Sequence, residues 1–302
     1  MEYGLTRLVF GSSKFVLISE QEYANLRSGR DVLLESLFIE EKFDLVVDNY
    51  LEFETYLLDL TAREMVRGVQ TWTAFQGERG QVNRRIVNLL SSCRLYLDHT
   101  QHHLNNLGTA GKEAATIIKP FISAQYDSSL GYRAMEALRN YVQHRGYPIH
   151  GVTYSANWIN DREKLLYGVT PYIMPAQLKE DGKFKASVLE ELGSLGDRID
   201  IKSLMREYIE GLAKIHNEAR SQLQPVIEKS DKIIRDAINR YKSVEPVEDS
   251  VIALAAVRRD ANTNVETCYL FEEQLDYRVQ LVRKNRNLSN LVKRYVSSEV
   301  IP

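Results

Sequence analysis

Arg139 and His144 stand five residues apart in Glu136-Ala137-Leu138-Arg139-Asn140-Tyr141-Val142-Gln143-His144. An arginine is permanently cationic, and its planar fork fits the oxygens of a phosphate. A histidine gives or takes a proton near neutral pH. Presented to one phosphodiester, the pair can cleave RNA without a metal. His144 would deprotonate the ribose 2′-hydroxyl or protonate the leaving oxygen, and Arg139 would stabilise the charge building on phosphorus. At ~100° per residue, Arg133, Glu136, Arg139, Asn140, Gln143 and His144 form a polar stripe over an apolar back of Ala137, Leu138, Tyr141 and Val142. Asn140 and His144 are neighbours on that surface. Arg139 lies ~140° round the axis from His144, so only its long stem can bring the guanidinium toward the imidazole.

That stripe needs a helix, and the sequence marks both its ends. Tyr126-Asp127-Ser128 offers a break, a helix is expected over about 129–145, and Gly146 followed by Pro148 stops it. Three helices are expected before it. From Asp31 to Arg67 there is no Gly or Pro, and Leu33, Leu37, Phe43, Val47, Tyr50, Phe53 and Leu57 recur at helical spacings, which predicts one long helix or two nearly collinear ones. A loop is expected at Gln76–Gly80. A second helix is expected over 82–107, with Val82, Ile86, Leu89, Cys93, Tyr96 and Leu104 buried, and a third over 113–125.

Ahead of this bundle, Leu5–Phe10 and Lys14–Ile18 read as a hairpin about Gly11-Ser12-Ser13. Ser19-Glu20-Gln21-Glu22 reads as a capping box opening a short helix. Behind the bundle, strands are expected over 149–158 and 165–174, and helices over 186–192, 201–222 and 225–241. Short runs at 251–257 and 265–270 surround the turn-like Asp260-Ala261-Asn262, and a last helix is expected over 272–296. No internal repeat is visible. The expected fold is mainly α: an antiparallel helical bundle over about 31–150, a β-hairpin and short helix over 1–30, and an α-rich region with short strands over 151–302.

Arg139-Asn140-x-x-x-His144 resembles the Arg-x(4–6)-His signature of the HEPN superfamily, in which a polar residue, often Asn, follows the arginine. In that family the signature sits on one of the last helices of a bundle of this size, and the resemblance covers about residues 31–150. It implies a metal-independent endoribonuclease whose two motifs face each other across a homodimer and form one composite site. Carried over, Arg139 is the phosphate-binding and transition-state group, His144 the acid/base and Asn140 the residue that orients them. Glu136 matches a position where some members carry an acid. The family context implies a cytoplasmic toxin or antiviral-defence setting, RNA as substrate, an antitoxin or regulatory protein as partner, and no cofactor. The other reading of the same bundle is a non-catalytic nucleotide- or protein-binding dimerisation module.

Arg133 and Arg145 flank the motif and are expected to contact RNA. Arg278, Arg283, Lys284, Arg286, Lys293 and Arg294 form a second basic run with no acid inside it, and Arg283, Lys284 and Arg286 are expected RNA contacts there. The opposite reading of that run is a solvated helix face or a partner for the acidic helix, where nine carboxylates between Asp31 and Asp59 face only Lys42. Arg94 and His99 repeat the Arg-x4-His spacing, but Leu95 follows the arginine. His99 and His103 have the spacing to hold a metal, yet no third ligand is adjacent, so a polar helix face is expected and no metal is assigned.

Composition narrows the classes. Thirty-nine Lys+Arg against 41 Asp+Glu leave a net charge of −2, so nucleic acid cannot be held by bulk positive charge. Two cysteines, Cys93 and Cys268, exclude a disulfide scaffold or a four-cysteine zinc site and suit a reducing compartment. No apolar run approaches the ~18 residues of a membrane span, and Met1-Glu2-Tyr3-Gly4 lacks the order of a signal peptide. Walker and Rossmann glycine loops and a Gly-x-Ser-x-Gly elbow are absent.

Overall fold

The computed structural model describes residues 1–11, 14–68, 71–180, 182–246, 251–261 and 263–297 of the 302-residue chain. The fold is mainly α. In chain order the elements are β1 (Glu2–Arg7), β2 (Val16–Ile18), α1 (Glu20–Arg67), α2 (Trp72–Asn106), α3 (Gly108–Ser128) and α4 (Leu130–His144). There follow β3 (Gly151–Ile159), β4 (Lys164–Ile173), α5 (Pro175–Glu180), α6 (Ala186–Leu195), β5 (Ile199–Asp200) and α7 (Ile201–Val244). β6 (Leu254–Asp260), β7 (Thr263–Tyr269), α8 (Glu272–Lys284) and a short 3-10 turn at Leu291–Lys293 complete the series. No helix among the described residues is long and apolar enough to cross a membrane.

Two compact units form, each from three separate stretches of chain. Unit 1 takes Met1–Lys42, Asp98–Ile118 and Glu218–Arg286, and unit 2 takes Phe43–Leu97, Lys119–Asn217 and Asn287–Pro302. These units do not follow the consecutive division expected at residues 30 and 150. The N-terminal hairpin is no separate region, because β1 pairs antiparallel with β2 and also with β6, with Leu5 opposite both Val16 and Ala256.

In unit 1 the four strands run in the order β2-β1-β6-β7. Leu254, Ala255, Ala256 and Val257 make β6 a continuous apolar run, as a strand covered on both faces requires, and all four are buried. The capping box is formed: the Glu22 N–H donates to Ser19 Oγ (3.1 Å), and the Ser19 N–H donates to the Glu22 carboxylate (2.7 Å). It opens the 48-residue α1 rather than a short helix. Gly29 does not break α1, because Leu26, Leu33 and Leu37 on either side are buried and Ser230 of α7 packs over it.

In unit 2, Phe43, Val46, Tyr50, Phe53, Leu57 and Leu60 of α1 alternate at spacings of three and four, and so do Val82, Ile86, Leu89, Cys93 and Tyr96 of α2. All are buried. This is the period by which two helices interlock side chains along one seam. The pair runs antiparallel: Phe43 meets Tyr96 (5.4 Å between rings), and Arg85 stacks on Tyr56 (3.8 Å) and reaches Glu52 (3.3 Å). β3, β4 and β5 form a second antiparallel sheet. The β3–β4 hairpin turns at Asn160, Asp161 and Arg162, all with positive φ.

Three expected boundaries are corrected. Gln76–Gly80 is helical, part of α2, and tertiary contacts hold it: Phe75 meets the Tyr154 ring, and Tyr154 donates to Glu78. The ~1 kcal/mol that a helical glycine costs is within reach of such contacts. The two helices expected on either side of Pro225 are one, α7, because Leu223, Ile227, Ile234, Ile238 and Tyr241 carry a buried stripe straight through it. The last helix stops at Lys284 instead of Val296; the Asn285 N–H caps it on Leu281 O (3.1 Å), and Asn290 takes a left-handed conformation (φ 55°) that helix cannot continue through. Ser12, Ser13 and Asn262, expected at hairpin tips, lie outside the described residues.

Candidate functional site

The motif lies on α4, in unit 2, and α4 is anchored at its start. Ser129 is the N-cap, with φ −126° and ψ 121°, and its hydroxyl oxygen accepts the Tyr132 N–H (3.1 Å). The Glu207 carboxylate of α7 accepts from Ser129 Oγ (3.0 Å) and from the Gly131 N–H (2.9 Å), placing a negative charge at the positive end of the helix. The approach is close. A Cβ on Gly131 would lie 2.6 Å from the Leu204 carbonyl oxygen, and one on Gly211 would lie 2.8 Å from the Tyr132 ring. Both glycines are required for α4 to reach α7 at this depth.

Two members of the polar stripe are tied into the fold. Arg133 donates to the Tyr126 (3.2 Å) and Asp127 (2.6 Å) carbonyls in the last turn of α3, and to Glu191 of α6 (2.5 Å). It clamps three helices through Nη1 and Nη2, which the fold therefore engages. Glu136 accepts the hydroxyl hydrogen of buried Tyr208 (2.6 Å). Beneath them Cys93 is fully buried, and burial, then the nearby Glu136 charge, pushes its thiol well up. Tyr208 is likewise pushed well up, by burial first and then by Cys93 and Glu136, so it remains a donor to the carboxylate.

The rest of the motif faces outward. Arg139 is half-buried, its Nη1 donates to Asn140 Oδ1 (3.0 Å), and its Nε is buried with no partner among the described residues. Asn140 therefore holds one arm of the fork, Nη1, and Nη2 hydrogen-bonds to no described residue. His144 is the last residue of α4, exposed, and hydrogen-bonds to no described residue. Arg145 caps the helix through its N–H on Tyr141 O (2.8 Å), and its side chain is exposed. Five residues of helix rise separate Arg139 from His144 by ~7.5 Å along the axis. A cleft of about 350 Å³ in the same unit, at Tyr56, Arg63, Glu64, Arg67, Glu78 and Tyr154, has no motif residue in its lining.

The other candidates resolve differently. His103 is buried rather than on a solvated polar face: its Nδ1 meets the Glu35 carboxylate (2.6 Å), whose other oxygen accepts from Asn106 (3.1 Å), and its ring lies 5.6 Å from that of Phe38. Among the described residues no group of three His, Cys, Asp or Glu is placed to hold a metal. Arg283, Lys284 and Arg286 are exposed at the end of α8, whereas Lys293 and Arg294 belong to unit 2, so the basic run is not one helical face. His150 was not singled out by its sequence position. It accepts the Met174 N–H on Nδ1 (2.9 Å), and burial, then the Arg79 charge, holds its pKa below the ordinary histidine value. Glu207 and Tyr208 were also missed. Tyr208 falls on the apolar stripe of Leu204 and Leu212, so periodicity reads it as core and says nothing of where its hydroxyl goes.

The chain matches no protein-family model, no curated protein and no solved structure.

Proposed function

We propose that the protein is a metal-independent endoribonuclease of the HEPN type, working in the cytoplasm as a homodimer in a toxin or antiviral-defence setting. One observation carries the reading. On a single rigid helix, an arginine with unengaged donors, steadied by Asn140, accompanies an exposed histidine that has no partner among the described residues. A ~7.5 Å rise and ~140° of rotation set the two apart on one helix. The composite site therefore pairs Arg139 of one protomer with His144 of its partner. His144 takes the proton of the ribose 2′-hydroxyl. The 2′-oxygen attacks phosphorus, the P–O5′ bond breaks, the leaving 5′-oxygen takes up the proton that His144 then carries, and a 2′,3′-cyclic phosphate and a 5′-hydroxyl result. Arg139 neutralises the charge on the non-bridging oxygens. Glu136 serves as the acceptor that fixes Tyr208 under the helix.

The second reading, a non-catalytic dimerisation or binding module, is favoured by the way Arg133 and Glu136 are tied into the fold. RNA digestion in EDTA separates the two. Wild type cleaves and leaves cyclic phosphate ends, while Arg139→Ala and His144→Ala each lose at least a hundredfold in rate, lose any toxicity on expression, and keep the circular dichroism spectrum. Equal cleavage by wild type and variants, or a strict need for divalent metal, overturns the proposal.

A further inference from the structure

Unit 1 contains a groove of about 200 Å³ between α1, α7 and α8. Its floor is apolar: Ile39, Leu223 and Ile227 are buried there, with Val279 and Val282 half-buried at the side. Its rim carries Arg220, Arg278 and Arg283. Arg220 is committed, since its Nε and Nη2 donate to the two oxygens of Glu40 (2.8 and 2.6 Å), and the Glu40 side chain is only 4% exposed. Arg278 differs. It is half-buried and forms no hydrogen bond or ion pair with any described residue.

The carboxylates around Arg278 are held by other arginines. Glu40 belongs to Arg220, and Asp231 (2.9 Å) and Asp276 (2.9 Å) belong to Arg235. Burial lowers the Arg278 pKa, Glu40 and Asp231 oppose that, and Arg220 and Arg235 add to it; the guanidinium still stays charged at any ordinary pH. A desolvated cation with five N–H donors and no carboxylate of its own binds an oxyanion more strongly than a surface arginine does, because water screens it less. Arg283, expected from the sequence as an RNA contact, stands beside it with no ion pair to a described residue. The volume is below the roughly 300–1,000 Å³ of sites for drug-sized ligands, so the occupant is small.

We propose that this groove binds a small organic anion, its carboxylate or phosphate head held by Arg278 and Arg283 and its apolar body laid on Ile39, Leu223 and Ile227. The proposal is independent of the ribonuclease reading, whose reacting groups lie on α4. An RNA strand fits the groove less well, because the apolar floor offers nothing to a sugar-phosphate chain.

Calorimetric titration of the full chain at constant ionic strength tests it, with phenyl phosphate, hexanoate, inorganic phosphate and benzyl alcohol as probes. Phenyl phosphate or hexanoate binds at least tenfold more tightly than either inorganic phosphate or benzyl alcohol, and whichever binds more tightly names the head group. Arg278→Met weakens that binding at least tenfold, and Arg278→Lys restores part of it. Val282→Trp, which fills the groove and leaves the arginines in place, abolishes it; this variant and Arg278→Lys decide the matter if Arg278→Met does not fold. No binding by wild type, or equal binding by the variants, overturns the proposal. Arg278-dependent binding of an RNA oligonucleotide in place of the small anions overturns it in favour of a nucleic-acid contact. RNA cleavage is unchanged in all three variants if both proposals hold.

Discussion

In unit 1, α1 and α7 are joined by a two-pronged pair, Glu40 with Arg220; in unit 2 the same two helices are joined by Glu54 with Arg206, fourteen residues away on each helix. The surroundings separate the two pairs. Side-chain exposures are 4% and 17% in unit 1, against 19% and 23% in unit 2. Glu54 also receives the Tyr50 hydroxyl (2.8 Å), and Arg206 also donates to the Arg294 carbonyl (3.1 Å). Among the described residues, Arg278 in a groove of unit 1 and Arg139 on α4 in unit 2 have no carboxylate partner. An arginine forked onto a buried glutamate is part of the framework, whereas one that the framework leaves over is where an anion from outside can be received. Under the two proposals, that anion would lie on an apolar floor in unit 1, and in unit 2 it would meet His144 of the partner protomer.

The comparison breaks most visibly in the RNA assay. Arg139→Ala should abolish cleavage, and Arg206→Gln should spare it in whatever fraction remains folded; equal losses would mean that being left over confers nothing. Within the framework, Glu40→Gln should cost about 3–5 kcal/mol in urea unfolding, because it strands a charge where water is excluded. Glu54→Gln should cost less, about 1–2 kcal/mol, because its site is wetter. Equal costs would show that burial does not grade the two pairs. Tyr208→Phe should destabilise by roughly 1.5–3 kcal/mol, the worth of a hydrogen bond to a charged group, yet leave RNA cleavage within a few-fold; a collapse of cleavage at full folding would return Glu136 to the chemistry.

The smallest effect is in pH. The Glu54 carboxyl is raised by burial, but Arg206 and Tyr50 outweigh this and hold it below its ordinary 4.5. A depressed carboxyl contributes stability above its unfolded value, and that stability is lost as pH falls through the folded value. His150 is depressed below its ordinary 6.5 by burial and Arg79. The unfolded chain therefore takes up that proton first, and its contribution begins to be lost as pH falls below about 6.5. The melting temperature should decline gently from about pH 6.5 and more steeply below about pH 4.5. His150→Gln should flatten only the first part.

Much of the framework was legible. Ser19-x-x-Glu22 and the Gly146/Pro148 stop are signals that act within one turn of chain, and the structure places helix boundaries at both. The three-four spacing of Phe43 to Leu57 and of Val82 to Tyr96 announced two helices with one buried face each, because a side chain's burial depends on its angle about its own axis. Gly77, Gly80 and Pro225 misled, since local propensity is worth about 1–3 kcal/mol and packing overrides it. The candidate site was half legible. The stripe of Arg139, Asn140 and His144 follows from helical period alone, but the engagement of Arg133 by α3 and α6 does not.

By itself, the sequence determined most of the segments that coil, which face of each is apolar, and that an arginine and a histidine lie on the polar stripe of α4. All of that is set by residues within a turn or two of one another. Tertiary structure alone decided that β1 lies against β6, that Glu207 and Tyr208 brace α4, and which arginines have a carboxylate to themselves. Those outcomes join residues tens to hundreds of positions apart. A charged side chain carries no mark of its partner until folding has removed water from between them.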